Sequence, residues 1–248
     1  MAPKLFFIFH CAGCGHPLVE RLVCEAIGEL GIAGRTVNVS GAGCSSGFCI
    51  RACDTDGFMG PHGRAVDIAT AMKRVRPDNI VYTVQGDGDC IAIGAEGFIN
   101  AAGRAERITV IMVNNTSYGT TGGQMAPTTL LGQVTSTTPG GRSVEHGYPM
   151  HVAELAATIK GCVYSARGSV DSPANYNRTR KYVKRAFQKQ IDNLGFSFVE
   201  ILAMCPSVWH MTPAESLKFV SEKMIPEFPL GEFKNVGSSE ENKDRGRR

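Results

Sequence analysis

Apolar positions along this chain follow two rhythms. Short runs of five to seven residues, Thr36–Ser40, Ile80–Val84, Ile108–Val113, Cys162–Ala166 and Phe196–Leu202, are rich in β-branched and aromatic side chains. They read as strands, several of them buried on both faces. Between them lie longer segments with helical spacing: Leu18–Leu30, Arg64–Val75, Ala92–Ala105, Met150–Lys160, Pro173–Leu194 and Pro213–Met224. Strands alternating with helices predict an α/β fold, a mostly parallel sheet with helices on both faces. One domain is expected over residues 1–235, followed by a polar tail, 236–248, too poor in apolar residues to order itself.

The polar residues that matter stand at strand ends. Gly86-Asp87-Gly88-Asp89 follows Ile80–Val84, and Asn114-Asn115 follows Ile108–Val113. Open α/β sheets bind ligands at the carboxyl ends of their strands. Glycines around Asp87 let the backbone turn tightly and approach a phosphate. A carboxylate and an amide oxygen arriving together suit Mg2+, which keeps oxygen ligands and bridges phosphates. The reading is a Mg2+-bound diphosphate at a helix N-terminus; a polar turn with an N-cap is the plainer alternative.

His62 precedes the helix at Arg64–Val75 and either lies at that ligand or caps the helix. After Asn115 a loop rich in Gly, Thr and Pro runs to about Tyr148, long enough to expect a function. Its Thr and Gln side chains can reach a diphosphate or a substrate carboxylate.

Composition narrows the classes. With 248 residues, 43% apolar and a net charge of +3, the chain has ample core and no charge argument for nucleic acid or membrane. No apolar run approaches the ~18 residues of a membrane span. Leu5-Phe6-Phe7-Ile8-Phe9 is shorter than the ~7–15 residues of a signal-peptide core. It reads as a segment packing on the domain or a partner, and the expected location is cytoplasmic. The basic residues of the helix at Pro173–Leu194, Arg178, Arg180, Lys181, Lys184, Arg185 and Lys189, read as a solvated or subunit-facing surface.

Nine cysteines are many for such a chain. In a reducing compartment they are not expected as disulfides, so metal or redox use becomes the question. Cys24 lies on an apolar helical face, Cys90 opens the helix after Gly86-Asp87-Gly88, and Cys162 starts a strand; all three read as small core residues. Cys11 and Cys14 form a C-x-x-C on a glycine-rich turn, which alone leaves zinc, an iron–sulfur cluster and a redox dithiol open. Glycines around Cys44 suggest a close backbone approach with amides free to donate. Cys49 and Cys53 follow it closely, and Cys205 ends the last strand beside Pro206.

Gly86-Asp87-Gly88, separated by 25 residues from Asn114-Asn115, resembles the thiamine diphosphate (ThDP) motif. That resemblance implies Mg2+ held by Asp87, the Asn115 side chain and the main-chain carbonyl of Ser117. Taken with Cys11-Ala-Gly-Cys14-Gly-His16, Gly43-Cys44-Ser45-Ser46, His62-Gly63-Arg64, Tyr118-Gly119-Thr120-Thr121-Gly122-Gly123-Gln124 and Cys205-Pro206, the chain resembles the β subunit of 2-oxoacid:ferredoxin oxidoreductases over about residues 8 to 230. The implied fold is the ThDP-binding fold. The implied cofactor wall is Gly43, Cys44, Ser45, His62, Gly86, Asp87, Gly88, Asp89, Asn115, Ser117, Tyr118, Gly119 and Thr120. Cys11, Cys14, Cys44 and Cys205 would hold a [4Fe–4S] cluster, with Cys49 and Cys53 spare; a structural zinc site is the rival for the same thiolates.

The resemblance also implies a reaction: a 2-oxoacid, coenzyme A and oxidised ferredoxin give acyl-coenzyme A, CO2 and reduced ferredoxin. It implies partners too, an α subunit with the pyrimidine-binding half and the activating glutamate, and γ and ferredoxin-like subunits. Nothing in the chain matches that half, so the chain alone is expected to be inactive. Residues 125–142 look closest to the branched-chain (2-oxoisovalerate) type, with Arg142 as a possible partner for a second substrate carboxylate instead. Two other classes compete: a non-redox ThDP decarboxylase subunit, and a zinc-stabilised assembly subunit without catalysis.

Overall fold

The computed structural model describes residues 10–47, 53 and 55–237. The apolar segment Leu5–Phe9, Cys49 and residues 238–248 of the expected tail lie outside the described residues.

Seven strands form one sheet in the order β2-β1-β3-β4-β8-β7-β9. They are β1 (Thr36–Ser40), β2 (Asp56–Met59), β3 (Ile80–Gly86), β4 (Thr109–Asn114), β7 (Cys162–Ser169), β8 (Phe196–Leu202) and β9 (Gly231–Asn235); β5 (Ser117–Tyr118) and β6 (Gln124–Met125) make a separate two-stranded ribbon. All neighbours in the sheet are parallel except β9, which runs antiparallel to β7. This is the expected α/β architecture. The parallel core explains why β4, β7 and β8 are buried at every position, since helices cover both faces of such a sheet.

Alternation along the strands sorts the core in two. On one face Tyr82, Val84, Ile111, Val113, Val199 and Ile201 pack against α1 (His16–Glu29) and α5 (Pro173–Ile191). On the other, Val81, Val110, Met112, Phe196 and Phe198 pack against α2 (Ala65–Val75), α3 (Ala95–Gly103) and α4 (Val152–Thr158). Phe98 meets Phe196 and Phe198 edge-on, centroids 5.4 and 5.1 Å away. Each such pair adds about 0.5–1.5 kcal/mol beyond area burial.

Three expectations change. The helix at Ala92–Ala105 begins as a π-turn, Gly88–Ile93, and becomes α3 only after Gly94. A Cβ on Gly94 would lie 2.5 Å from the Asp89 carbonyl, so the wide turn depends on glycine there. The helix at Pro213–Met224 likewise splits into α7 (Pro213–Phe219) and a π-turn, Val220–Met224, before α8 (Ile225–Glu227). Pro226, inside α8, has no N–H to extend the ladder.

The third change concerns Cys24 and Cys53, which form a disulfide. Cys24 is buried in the core as expected, but the expectation of no disulfide and of a spare Cys53 is overturned: α1 and the chain before β2 bring the two sulfurs together. The basic face of α5 is tied to its own chain. Arg180 and Lys184 pair with Glu29, and Arg185 pairs with Glu232. Among the described residues no helix is long and apolar enough to cross a membrane.

Candidate functional site

β1, β3 and β4 lie side by side in parallel, so the turns that follow them open on one edge. They surround a cavity of about 280 Å3. Every residue predicted above to bind the cofactor lines it, together with His16, Ala42 and Thr121. The sheet brings together three segments that lie far apart in sequence.

Asp87 is 1% exposed. One carboxylate oxygen accepts from Gly88 N at 2.8 Å, and the other accepts from the Thr128 hydroxyl. Burial pushes its acid up to about 7, since a carboxylate removed from water resists ionising. A divalent cation would reverse that balance. Asn115 and Ser117 are equally buried. Between them Thr116 sits at φ +58, a left-handed conformation that costs a β-branched residue energy.

Four bonds hold Thr116 there: its N–H donates to Asn114 Oδ1 (3.0 Å), its hydroxyl donates to Asn115 O (2.7 Å) and accepts from Gln133 Nε2 (2.8 Å), and its carbonyl accepts from Thr129 Oγ1 (2.5 Å). Trp209, in α6 (Pro206–Trp209), donates from Nε1 to Asn115 O at 3.1 Å.

Below this turn lies a buried ionic chain. Asn114 Nδ2 donates to Glu200 Oε1 at 2.7 Å, and Arg167 Nε donates to Glu200 Oε2 at 2.8 Å. Arg167 and Glu200 face each other across β7 and β8 and are both fully buried. Arg167 also grips Glu154 through both terminal nitrogens.

Asp89 anchors the far side of the cavity. It accepts from Gly63 N (2.6 Å) and Gln85 Nε2 (2.6 Å), and His62 Nδ1, hydrogen-bonded to the Ala42 carbonyl at 2.9 Å, stands 2.9 Å from its Oδ1. A Cβ on Gly41 would lie 1.8 Å from Asp89 Oδ2, and one on Gly88 would lie 2.1 Å from the Tyr118 ring. Those glycines make room for the carboxylate and the aromatic lid. His62 therefore stands at the cavity wall, and the N-cap position of α2 is Arg64, without a side-chain capping bond.

A second cavity, about 550 Å3, adjoins the first and is lined by Cys11, Cys14, Cys44 and Cys205. His16, Gly43, Cys44, Asn115, Gly119 and Thr120 belong to both walls. Cys14 is pushed up to about 12 and Cys205 to about 11, chiefly by burial and further by the neighbouring thiols. The Asn115 side chain donates to Cys205 and opposes that rise. Among the described residues no three His, Cys, Asp or Glu side chains converge as on a single metal ion. The four thiols share this one cavity.

Sequence reasoning missed several members. Thr128 holds Asp87. His10 and Glu20, 2.6 Å apart, line the cysteine cavity. The long loop reaches the site from behind: Thr128 donates to Asp87, and Thr129 and Gln133 donate to Thr116. Arg142 is not a free substrate partner. It is buried and donates to the carbonyls of Ala126, Pro127, Thr129, Gly147 and Tyr148.

Comparison with known proteins agrees with this architecture. Residues 41–201 match the family model of the thiamine pyrophosphate enzymes' C-terminal TPP binding domain. The chain is 42% identical over 233 residues to the ketoisovalerate oxidoreductase subunit VorA of Methanothermobacter marburgensis, covering 94% of this chain and 48% of that one. It is 36% identical over 241 residues to the 2-oxoglutarate synthase subunit KorB of Methanocaldococcus jannaschii, covering 94% and 83%. A solved structure of 2-oxoglutarate:ferredoxin oxidoreductase from Magnetococcus marinus, with 2-oxoglutarate, coenzyme A and succinyl-CoA bound, superposes with a TM-score of 0.77. The two are 25% identical, over 95% of this chain and 84% of that one. The chain spans about half the length of the VorA relatives.

Proposed function

This chain belongs to the thiamine diphosphate-binding subunits of 2-oxoacid:ferredoxin oxidoreductases, and we propose that it supplies the diphosphate and cluster half of such an enzyme. The observation that carries the reading is the pair of adjoining cavities: one lined by the Asp87–Asn115 constellation, the other by four cysteines, with Cys44 and Asn115 in both walls.

Asp87, the Asn115 side chain and the Ser117 carbonyl offer oxygen ligands that fit Mg2+. Cys11, Cys14, Cys44 and Cys205, four thiols on one cavity, fit a [4Fe–4S] cluster, which takes four thiolates, and the family favours it over zinc. ThDP, when bound, provides the carbon nucleophile and electron sink for decarboxylating a 2-oxoacid, and the cluster provides an exit for the electrons. The chain's own residues keep the site in shape. Thr128 aims Asp87, Trp209 and Thr116 fix the Asn115 turn, and Tyr118 closes over Gly88.

The proposed reaction is oxidation of a 2-oxoacid with coenzyme A to acyl-coenzyme A, CO2 and reduced ferredoxin. We place it in the cytoplasm, although a Cys24–Cys53 disulfide is unusual there. The activating glutamate and pyrimidine half come from an α partner, with γ and ferredoxin-like subunits completing the complex. Higher identity to VorA than to KorB supports a branched-chain substrate. So does the wall itself: the described residues lining both cavities include no Lys or Arg for a second carboxylate.

The test is iron, acid-labile sulfide and zinc content of protein purified without oxygen, with turnover measured before and after assembly. About four iron and four sulfide per chain, turnover only in the complex, and preference for 2-oxoisovalerate are expected. Zinc without sulfide would refute the redox reading, and preference for 2-oxoglutarate would refute the substrate.

A further inference from the structure

Two glycines and one thiol belong to both cavity walls, Gly43, Gly119 and Cys44; so do three polar side chains, those of His16, Asn115 and Thr120. Each of the three touches a different sulfur. His16 Nδ1 lies 3.4 Å from Cys14 Sγ, and Thr120 Oγ1 lies 3.1 Å from Cys44 Sγ. The Asn115 side chain donates to Cys205. Both press on the same backbone: a Cβ on Gly119 would lie 3.5 Å from Asn115 Nδ2 and 3.9 Å from Cys205 Sγ.

A metal-bound thiolate has no proton to give, so each partner must be the donor. Thr120 has its hydroxyl. Asn115 has Nδ2, since its Oδ1 accepts from Ser117 N at 3.4 Å. His16 can give the Nδ1 proton, because Nε2 stands 3.4 Å from the Ser45 hydroxyl and can accept from it. Hydrogen bonds to the sulfurs are one of the levers on an iron–sulfur potential. Reduction adds negative charge to the thiolates, so a donor stabilises the reduced state more and raises the potential.

Asn115 reaches both ways. Its Oδ1 is among the oxygens offered to Mg2+, and its backbone carbonyl is held by Trp209 Nε1 at 3.1 Å. A cation on Oδ1 draws charge out of the amide and makes Nδ2 a stronger donor.

We propose that His16, Thr120 and Asn115 set the reduction potential of the group held by the four thiols, and that Asn115 ties this potential to the cofactor cavity. Mg2+ and ThDP in the first cavity then make the group in the second a better electron acceptor. The inference rests on the ThDP and [4Fe–4S] readings above. Its consequence is an electron exit that improves once a cofactor is there to use it.

The experiment uses protein purified without oxygen, with variants compared at equal iron and sulfide content. The group is followed in the assembled complex by the electron paramagnetic resonance signal that the full chain also gives by itself, titrated against mediators of known potential. Thr120→Val removes the donor to Cys44 and keeps the shape. At fixed potential it should shift the group about tenfold toward the oxidised state, ~59 mV for one electron. Thr120→Ser restores the hydroxyl and should stay within about twofold of wild type.

Adding ThDP and Mg2+ to the stripped wild-type complex should shift the group about fivefold toward the reduced state, and reduction should tighten ThDP by the same factor, as linkage requires. Asn115→Asp keeps an oxygen for Mg2+ and removes the Nδ2 donor. It should abolish both shifts.

A potential in Thr120→Val equal to that of wild type overturns the inference. So does Thr120→Ser displaced as far as Thr120→Val, which would mark a structural role. A wild-type potential indifferent to ThDP, or a ThDP-induced shift that survives in Asn115→Asp, overturns the coupling. Should Asn115→Asp bind no ThDP, the wild-type affinities with the group oxidised and reduced decide: equal values overturn the coupling, tighter binding on reduction supports it. A wild-type chain without iron and sulfide overturns the cluster reading itself, and a wild-type complex that binds no ThDP overturns the cofactor reading.

Discussion

The two adjoining cavities are built on different plans. The cofactor wall hangs from β1, β3 and β4, and its polar groups already have protein partners: Asp87 has Thr128, Asp89 has Gln85 and His62, and Thr116 has the long loop. The cysteine cavity draws on the chain before α1, the turn after β1 and the end of β8. Burial makes Cys14 and Cys205 costly to ionise there. The first site is preorganised without its ligand. In the second, any metal that bound would have to stabilise the thiolates itself.

The sharpest way to break this contrast is Cys205→Ser. If the cavities are separable, iron content should fall from about four per chain to near none, while ThDP affinity of the complex stays within about threefold. Collapse of both would show a single unit. Next is Glu200→Ala, which leaves Arg167 buried without its partner in β8. The expected loss is about 3–5 kcal/mol, read from the denaturant midpoint, and it would show that preorganisation rests on the ionic chain. A change under about 1 kcal/mol would remove that support from the picture.

The third test uses pH. The folded, unliganded protein holds the Asp87 acid at about 7, above its usual value near 3.9. Its contribution is fully present below about pH 4 and is lost as pH rises to about 7, by at most about 4 kcal/mol. Asp87→Asn should flatten that part of the stability curve, and Mg2+ with ThDP should abolish it in wild type. An identical slope in the variant would assign it elsewhere. The smallest effect is expected from Arg142→Ala. It removes donors to five carbonyls and should cost about 2 kcal/mol, with faster proteolysis inside residues 126–148. Unchanged proteolysis would mean the loop holds Thr116 without this staple.

Much of this was legible before folding. β1 and β8 match the predicted runs to the residue, because their β-branched and aromatic residues suit strands covered by helices. The cofactor wall was legible because glycines and polar pairs at strand ends mark the ligand edge. β2 was not: Asp56-Gly57-Phe58-Met59 has no strand pattern, and only its pairing with β1 makes it one. The Cys24–Cys53 bond was equally hidden, since 29 residues of separation carry no pairing signal. Glu200 did carry a signal that went unused. A carboxylate inside a strand buried on both faces must find a cation, and Arg167 in the neighbouring strand supplies it.

Gly119 stands in both walls. A Cβ there would meet Cys44 Sγ at 3.2 Å and Asn115 Nδ2 at 3.5 Å, so at this point the partition between the two chambers is bare backbone. A partition that thin is a poor insulator. A single methyl group at residue 119 would thicken it from within, and the natural sequence leaves that space empty.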